Sequence, residues 1–170
     1  MVNRPKQIGT AAETAVVRAA RTRGFPHADR LTLTGNKDRG DISLAPGVIV
    51  EIKGGEKARA ASDLDIERWL GETLVERANA NADVAFLVTQ RRGVGYPNAH
   101  RWWAWFRLSW FDTLRGHDVN TEDPDSTLVV RMLLDDALTL IRNAGYGQPL
   151  TNAPEAEALG SGAVREGAAS

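Results

Sequence analysis

The 170-residue chain contains no cysteine and only three histidines, which limits the chemistry it can carry. Without cysteine, disulfide bonds and thiolate metal sites are excluded. The histidines, His27, His100 and His117, share no ligand-like spacing, so a zinc site is not expected. Any bound metal should therefore be a hard cation held by carboxylates. We expect His100 and His117 to be ordinary surface residues.

Long apolar runs are absent as well. No stretch is long enough to span a bilayer, and Met1 to Gly9 lacks the apolar segment of a signal peptide. Hydrophobic residues make up 42% and charged residues 25% of the chain, as in ordinary folded domains. The sequence predicts one soluble, intracellular domain over residues 1–147. Residues 148–170, rich in Ala, Gly, Glu and Pro, are predicted to be a disordered tail.

The net charge of −1 hides an uneven distribution of charge. Basic residues are in excess up to residue 59, and acidic residues are in excess after it. Within the acidic part, Val84 to Phe111 has no carboxylate and carries four arginines and four tryptophans: Arg91, Arg92, Arg101, Arg107, Trp102, Trp103, Trp105 and Trp110. Local basic surface of this kind is compatible with a nucleic-acid partner.

The spacing of apolar residues predicts an α/β fold with the order α-β-β-β-α-β and further elements. Helices are predicted where apolar residues recur every three or four positions, and strands where they alternate or run continuously. The helices are Lys6–Arg23, Ala61–Ala82 and Leu133–Asn143; the strands are Leu31–Thr34, Asp41–Leu44, Val48–Lys53, Val84–Val88, His100–Leu108 and Leu128–Val130.

The first three strands are expected to form an antiparallel meander. The second helix has Ser62 as its N-cap, and its expected buried stripe is Ile66, Leu70, Leu74 and Val75.

Two ionisable side chains interrupt the apolar strand Val48–Lys53. Glu51 and Lys53 share one face of this strand, and burying them is costly unless they are paired or bind a metal. Asp41 begins the preceding strand and, in a tight meander, can lie opposite Glu51. Two converging carboxylates can hold Mg²⁺. Lys53 can orient or help deprotonate the attacking water and stabilise charge on the phosphorane, so these groups suffice to hydrolyse a phosphodiester.

An acid-x-Lys triplet by itself is weak evidence, because such triplets arise by chance. A solvated edge strand with a surface ion pair is the alternative interpretation. The context favours a site: an aspartate on the preceding strand, a glutamate (Glu13) in the first helix, and Gly54-Gly55 after the acidic strand. A glutamate on an Ala-rich helix is otherwise usually exposed to solvent.

Together these segments resemble the PD-(D/E)XK nuclease superfamily, and within it the archaeal-type Holliday junction resolvases and related phage resolvases. The resemblance spans roughly Lys6 to Gln90, and the residue before Asp41 is Gly40 where the family pattern has proline. It implies a restriction-endonuclease-like αβββαβ core, with a mixed sheet flanked by helices and a C-terminal extension. The matching segments are Gly9-Thr10-Ala11-Ala12-Glu13 with Gly24-Phe25, Gly40-Asp41-Ile42, and Val50-Glu51-Ile52-Lys53.

The resemblance also implies roles for these residues. Asp41 and Glu51 would be metal ligands, Lys53 the catalytic lysine, and Glu13 a further catalytic acid and metal ligand. The implied cofactor is Mg²⁺, with Mn²⁺ as a substitute. The implied partner is branched DNA, cut by a C2 homodimer in recombination or repair, in the cytoplasm of a bacterial, archaeal or phage-infected host cell. The alternatives are a nuclease acting on flap or duplex DNA in repair, restriction or replication, and a DNA-binding module that does not cleave.

Four further basic residues are candidate DNA contacts. Lys57 and Arg59 follow the acidic strand, and Arg91 and Arg92 lie in a Gly-rich loop. For both pairs, the alternatives are that they bind DNA phosphates or that they are solvated surface residues. The tryptophans at 102–105 have strand spacing, which is more typical of a core or subunit interface than of a base-stacking platform.

Overall fold

The computed structural model describes residues 4–31, 38–116 and 128–150. Within these ranges the chain forms a six-stranded mixed sheet flanked by helices, which confirms the predicted α/β class. None of the helices in these ranges is long and apolar enough to cross a bilayer. Residues 32–34 of the first predicted strand, His117, and residues 151–170 of the predicted tail lie outside the described ranges.

The helices and strands alternate as the sequence predicts, with two extra short helices. The helices are α1 (Arg4–Arg21), α2 (Gly55–Arg59), α3 (Asp63–Ala80), α4 (Leu108–Leu114) and α5 (Leu134–Ile141). The strands are β1 (Asp29–Arg30), β2 (Ile42–Ala45), β3 (Val48–Lys53), β4 (Val84–Thr89), β5 (Trp103–Arg107) and β6 (Val129–Leu133). A 3₁₀ segment (Tyr96–Arg101) precedes β5, and a π-helical turn (Arg142–Tyr146) follows α5.

The six strands lie in the sheet in chain order, β1 to β6. Strands β1, β2 and β3 form an antiparallel meander, although β1 (Asp29–Arg30) lies before the predicted first strand Leu31–Thr34. Strands β3 and β4 are parallel and are connected by the crossover through α2 and α3. Antiparallel pairing then continues through β5 to β6. All six residues of β4 are buried, as expected for an interior strand covered on both faces.

Helices cover both faces of the sheet. Helices α1 and α5 pack on the face that carries Val50, Ile52, Phe86 and Phe106, and the rings of the two phenylalanines stack with centroids 4.9 Å apart. Helix α3 covers the other face, which carries Leu87. Burial of these apolar side chains is the main force that holds the helices on the sheet.

The structure corrects two further details of the sequence prediction and confirms a third. Val75 is 60% exposed and does not belong to the buried stripe of α3, which includes Trp69 and Thr73 instead. The predicted strand His100–Leu108 is shorter at both ends, because a 3₁₀ turn with Pro97 near its start precedes it and α4 begins at Leu108. The predicted N-cap is confirmed: Ser62 and Asp65 form a reciprocal capping box.

The first residues of the predicted tail are attached to the domain. The backbone N–H of Gln148 donates to the backbone oxygen of Gly24 at 2.7 Å, so the chain is held against the end of the α1 region at this point.

Trp102 belongs to the core, as expected for a tryptophan at this spacing. Its side chain is fully buried, and its indole N–H donates to the backbone oxygen of Val94 at 3.1 Å. A buried indole needs such an acceptor because its N–H group would otherwise lose its hydrogen bond to water.

Candidate active site

Strand β3 places Glu51 and Lys53 side by side beneath α3. The amino group of Lys53 donates to Oε1 of Glu51 at 2.6 Å, and Glu51 is only 6% exposed. The same amino group lies 3.3 Å from a carboxylate oxygen of Glu72, which comes from α3. The alternative of a solvated surface ion pair does not describe this arrangement, because the carboxyl group is buried.

Asp41 lies across from Glu51, at the residue before β2. Its backbone N–H donates to the backbone oxygen of Val50 at 3.1 Å, and its Oδ2 accepts the backbone N–H of Ile52 at 2.8 Å. Gly40 enters this turn with a φ of +88°, a conformation that strains residues with a side chain. The meander therefore brings together the two carboxyl groups that the sequence predicts to meet.

Helix α3 adds a buried acid, Glu76, that the sequence analysis missed. Glu76 is 5% exposed, and its carboxyl group is close enough to that of Glu51 to share a hydrogen bond. Within the described ranges, Oε2 of Glu76 has no hydrogen-bond partner. A buried carboxyl group in this position needs either a proton or a cation. The spacing from Trp69 and Thr73 on the buried side of α3 is the signal that could have identified it.

Burial raises the pKa of all three acids. It raises the pKa of Asp41 to about 7, with the charge of Glu51 adding to the effect. It also raises the pKa of Glu51 to about 7, although the positive charge of Lys53 opposes the shift. For Glu76, burial and the charge of Asp38 raise the pKa to about 7. Each of these groups therefore binds positive charge more readily than a carboxylate in water.

Burial has the opposite effect on the pKa of the lysine, but the surrounding acids outweigh it. Burial alone lowers the pKa of Lys53, but the charges and hydrogen bonds of Glu51 and Glu72 outweigh it, so the pKa is raised overall. Lys53 is therefore protonated at neutral pH and acts as a hydrogen-bond donor rather than as a base.

The carboxyl groups of the site outnumber its positive charges. In the described part of the chain, Lys53 contacts Glu51 and Glu72, while Asp41 and Glu76 lie close enough for their charges to interact with it. No three carboxylate or histidine side chains in that part are arranged as the ligands of one metal ion. The chemistry of the donors nevertheless fits a hard divalent cation: buried carboxylates with raised pKa values and one oxygen without a partner.

Glu13 lies at the margin of the site rather than at its centre. Its Oε2 accepts from Nε of Arg30 at 2.5 Å, yet its charge is close enough to Asp41 to raise the pKa of that residue. Helix α1 packs closely against the end of β3 because Gly54 has no side chain there. A Cβ atom at this position would stand 2.7 Å from Cβ of Ala12. The structure thus brings Glu13 near the predicted metal ligands without direct contact.

The four predicted DNA-contacting residues lie beyond the ends of the parallel strands β3 and β4. The amino group of Lys57 lies 6.0 Å from the ring centroid of Trp69. Arg59 and Arg92 both pair with Glu56 of α2, at 2.8 and 3.7 Å. The three arginines, Arg59, Arg91 and Arg92, line one cavity together with Arg131 of β6, which the sequence analysis did not single out.

Comparison of the chain with protein-family models, with curated proteins and with solved structures found no match in any of the three sets.

Proposed function

We propose that this protein is a metal-dependent DNA endonuclease that hydrolyses phosphodiester bonds, with four-way junctions as its preferred substrate. The observation that carries the proposal is the concentration of Asp41, Glu51 and Glu76 around a single protonated lysine. Uncompensated buried carboxylates destabilise a fold. A divalent cation would compensate them, and its remaining positions would suit water and phosphate oxygens.

We further propose that the chain is a PD-(D/E)XK nuclease with a restriction-endonuclease-like core. Three features support this. The elements follow the αβββαβ order with α2 inserted before α3. Asp41 lies opposite the Glu51-Ile52-Lys53 segment, and Glu13 of the preceding helix lies near Asp41.

The residues of the site have distinct roles in this proposal. Asp41 and Glu51 would hold Mg²⁺, or Mn²⁺ in its place, with Glu76 as a neighbouring buried acid and Glu13 at the margin. When bound, the ion lowers the pKa of water and neutralises charge on the phosphate. The protonated amine of Lys53 would donate hydrogen bonds to a phosphate oxygen and so stabilise the charge that develops as water attacks phosphorus.

Glu72 has a positioning role in this scheme. It contacts the amine of Lys53 from the α3 side, opposite the strand residue Glu51. Two carboxylates hold the long lysine side chain in one place, which reduces the entropy that the side chain would lose on binding the phosphate.

Junction preference carries a consequence for assembly. A four-way junction has two-fold symmetry and requires paired cuts, so we propose that the active form is a C2 homodimer with two sites. Light scattering of the purified protein, alone and with junction DNA, measures this directly.

Cleavage assays test the function. Labelled four-way junction, flap and linear duplex of equal length are incubated with wild-type protein, D41N, E51Q and the control D136N, in Mg²⁺, Mn²⁺ or EDTA. Asp136 is an exposed acid of α5 on the other side of the sheet. We expect metal-dependent cutting that favours the junction, unchanged for D136N and reduced at least ~100-fold for D41N and E51Q with binding retained.

The outcomes separate the alternatives. Equal rates on junction and linear duplex would reject junction selectivity and retain the nuclease. Faster cutting of the flap substrate would assign that structure as the substrate instead. Binding of DNA by the wild-type protein without cutting in either metal would reject the enzyme in favour of a binding module.

A further inference from the structure

A second charged site lies beside the carboxyl cluster, where α2 and the start of α3 meet the end of β4 and one face of β5 and β6. It is a cavity of about 270 Å³. The arginine cluster that lines it consists of Arg59, Arg91, Arg92 and Arg131. The acidic groups near it in the described ranges are Asp63 on its wall and Glu56, which pairs with Arg59 and Arg92. The cavity therefore has an excess of positive charge.

Two tryptophans hold two of these arginines in place. The guanidinium carbons of Arg91 and Arg131 lie 4.3 and 4.6 Å from the ring centroid of Trp103, and that of Arg131 lies 5.3 Å from the centroid of Trp105. The indole N–H of Trp105 donates to Thr89 Oγ1 at 2.9 Å, which fixes that ring. Among the described residues, neither Arg91 nor Arg131 has an ion pair with a carboxylate.

This arrangement indicates which groups meet a ligand. Because guanidinium groups already lie over the ring of Trp103, the ring is not an open platform for a nucleotide base. A guanidinium that stacks on an aromatic ring keeps its N–H edge available, and that edge matches two oxygens of a phosphate. The cavity is thus suited to a phosphodiester backbone rather than to base stacking.

The register of the sheet relates the cavity to the carboxyl cluster. Glu51, Leu87, Trp105 and Arg131 are successive partners across β3, β4, β5 and β6, so they share one face. Three strand spacings place the Cα atoms of Glu51 and Arg131 ~14 Å apart. Because a DNA backbone winds around the helix axis as it rises, that span corresponds to phosphates about two nucleotides apart on one strand. Lys57 lies just after β3, and its amino group, like that of Lys53 in the carboxyl cluster, lies about 6 Å from the ring of Trp69.

We infer that the arginine cluster is a phosphate-binding subsite for DNA, contacting the backbone about two nucleotides from the phosphate that is cut. The position of the cut rests on the proposed function, whereas the binding of backbone phosphate rests on the cluster itself. Trp103 and Trp105 are positioning residues, since they orient the guanidinium groups and do not stack on bases.

Salt-dependent binding tests the subsite. The affinity of R91Q, R131Q and the double variant for a labelled junction and a duplex is measured by fluorescence anisotropy in EDTA, over about 50 to 200 mM NaCl. The control is R18Q, which removes an exposed arginine from α1 on the other side of the sheet. We expect each single variant to bind about tenfold more weakly and to lose about one unit of the slope of log K against log salt. R18Q should match the wild type.

Two further variants separate the effect of the planar guanidinium group, whose N–H groups bind two phosphate oxygens, from the effect of its positive charge. R131K retains the positive charge but not the planar fork, so its salt slope should be close to wild type while its affinity falls. W103L should also weaken binding at nearly unchanged slope, because it removes only the support of the guanidinium groups. Circular dichroism and thermal melting of each variant verify that it is folded.

Chemically modified DNA tests the location. Uncharged methylphosphonate linkages about two nucleotides from the cut should weaken binding by the wild type but not by the double variant.

The possible results separate this inference from the proposed function. Loss of affinity and slope in R91Q and R131Q, with no cutting by the wild type, would retain the subsite and reject the nuclease. Cutting by the wild type with unchanged binding by both variants would overturn the subsite and retain the nuclease. A wild-type protein that binds neither DNA would also overturn the subsite.

Discussion

Replacing Glu76 by glutamine is expected to make the metal-free protein more stable at alkaline pH. The substitution keeps the size of the side chain and removes a charge from a position where Oε2 has no hydrogen-bond partner among the described residues. The new amide can donate to the carboxylate of Glu51, with which Glu76 is in contact. Loss of a buried acid is unusual as a stabilising change, which makes the prediction specific to this site.

The magnitude follows from the pKa of Glu76, which rises from 4.5 to about 7 on folding. A carboxyl group with a raised folded-state pKa binds its proton more tightly in the folded protein. Its contribution to stability is therefore complete below pH 4.5 and is lost as the pH rises through 7. One pKa unit corresponds to ~1.4 kcal/mol, so the wild type loses about 3 kcal/mol at this group between pH 4.5 and pH 8.5.

Urea and thermal unfolding in EDTA measure the effect. We expect E76Q to unfold at a temperature roughly 6 to 12 °C above that of the wild type at pH 8.5, and the two curves to converge near pH 4.5. The control E67Q changes an exposed acid of the same helix that pairs with Arg107 and should shift stability by less than about 1 kcal/mol. A variant less stable than the wild type at pH 8.5, or a difference that does not vary with pH, would refute the reasoning.

Three further changes are expected to have measurable effects. At pH 8.5, saturating Mg²⁺ should stabilise the wild type by about 3 kcal/mol at a hundredfold excess over its dissociation constant, and D41N should lose this shift in differential scanning fluorimetry. K53M should reduce cleavage at least ~100-fold while the Mg²⁺-induced shift persists, as single-turnover kinetics would measure; equal cleavage would contradict the role given to the amine. G54A should destabilise the fold by about 1–3 kcal/mol in urea, because its Cβ would stand 2.7 Å from that of Ala12; unchanged stability would show that α1 shifts freely.

The sequence predicted the central strand of the site because its boundaries are local. The β-branched run Val48–Lys53 lies between Pro46-Gly47 and Gly54-Gly55, and the structure has the strand with the same bounds. The position of Asp41 opposite Glu51 followed from the tight connection between β2 and β3. Short-range geometry of this kind can be derived from residue types alone.

The contribution of α3 could not be derived in the same way. A search for apolar residues selects Leu74 and Val75 and passes over Glu76, because a charged residue is not expected inside. The actual phase of the helix is set by Trp69 and Leu70, which pack on Leu87 of the sheet. Glu76 faces inward as a consequence of that packing.

Only part of the arginine cluster could be predicted from the sequence. Arg91 and Arg92 stood out as a basic pair in a Gly-rich loop, whereas Arg131 is a single charge within an apolar strand. Only the pairing of Trp105 with Arg131 across β5 and β6 shows that they meet. Long-range register of this kind is determined by tertiary packing and not by local sequence.

Helix α3 contributes both to the hydrophobic core and to the candidate active site. One rigid element provides the apolar cover of the sheet and also the carboxyl groups of Glu72 and Glu76. Transient undocking of this helix would therefore remove charge from around Lys53 at the same moment as it exposes Leu87. Amide exchange along the helix should slow when a cation occupies the site, and a substitution such as L70A should weaken ion affinity although no ligand is altered.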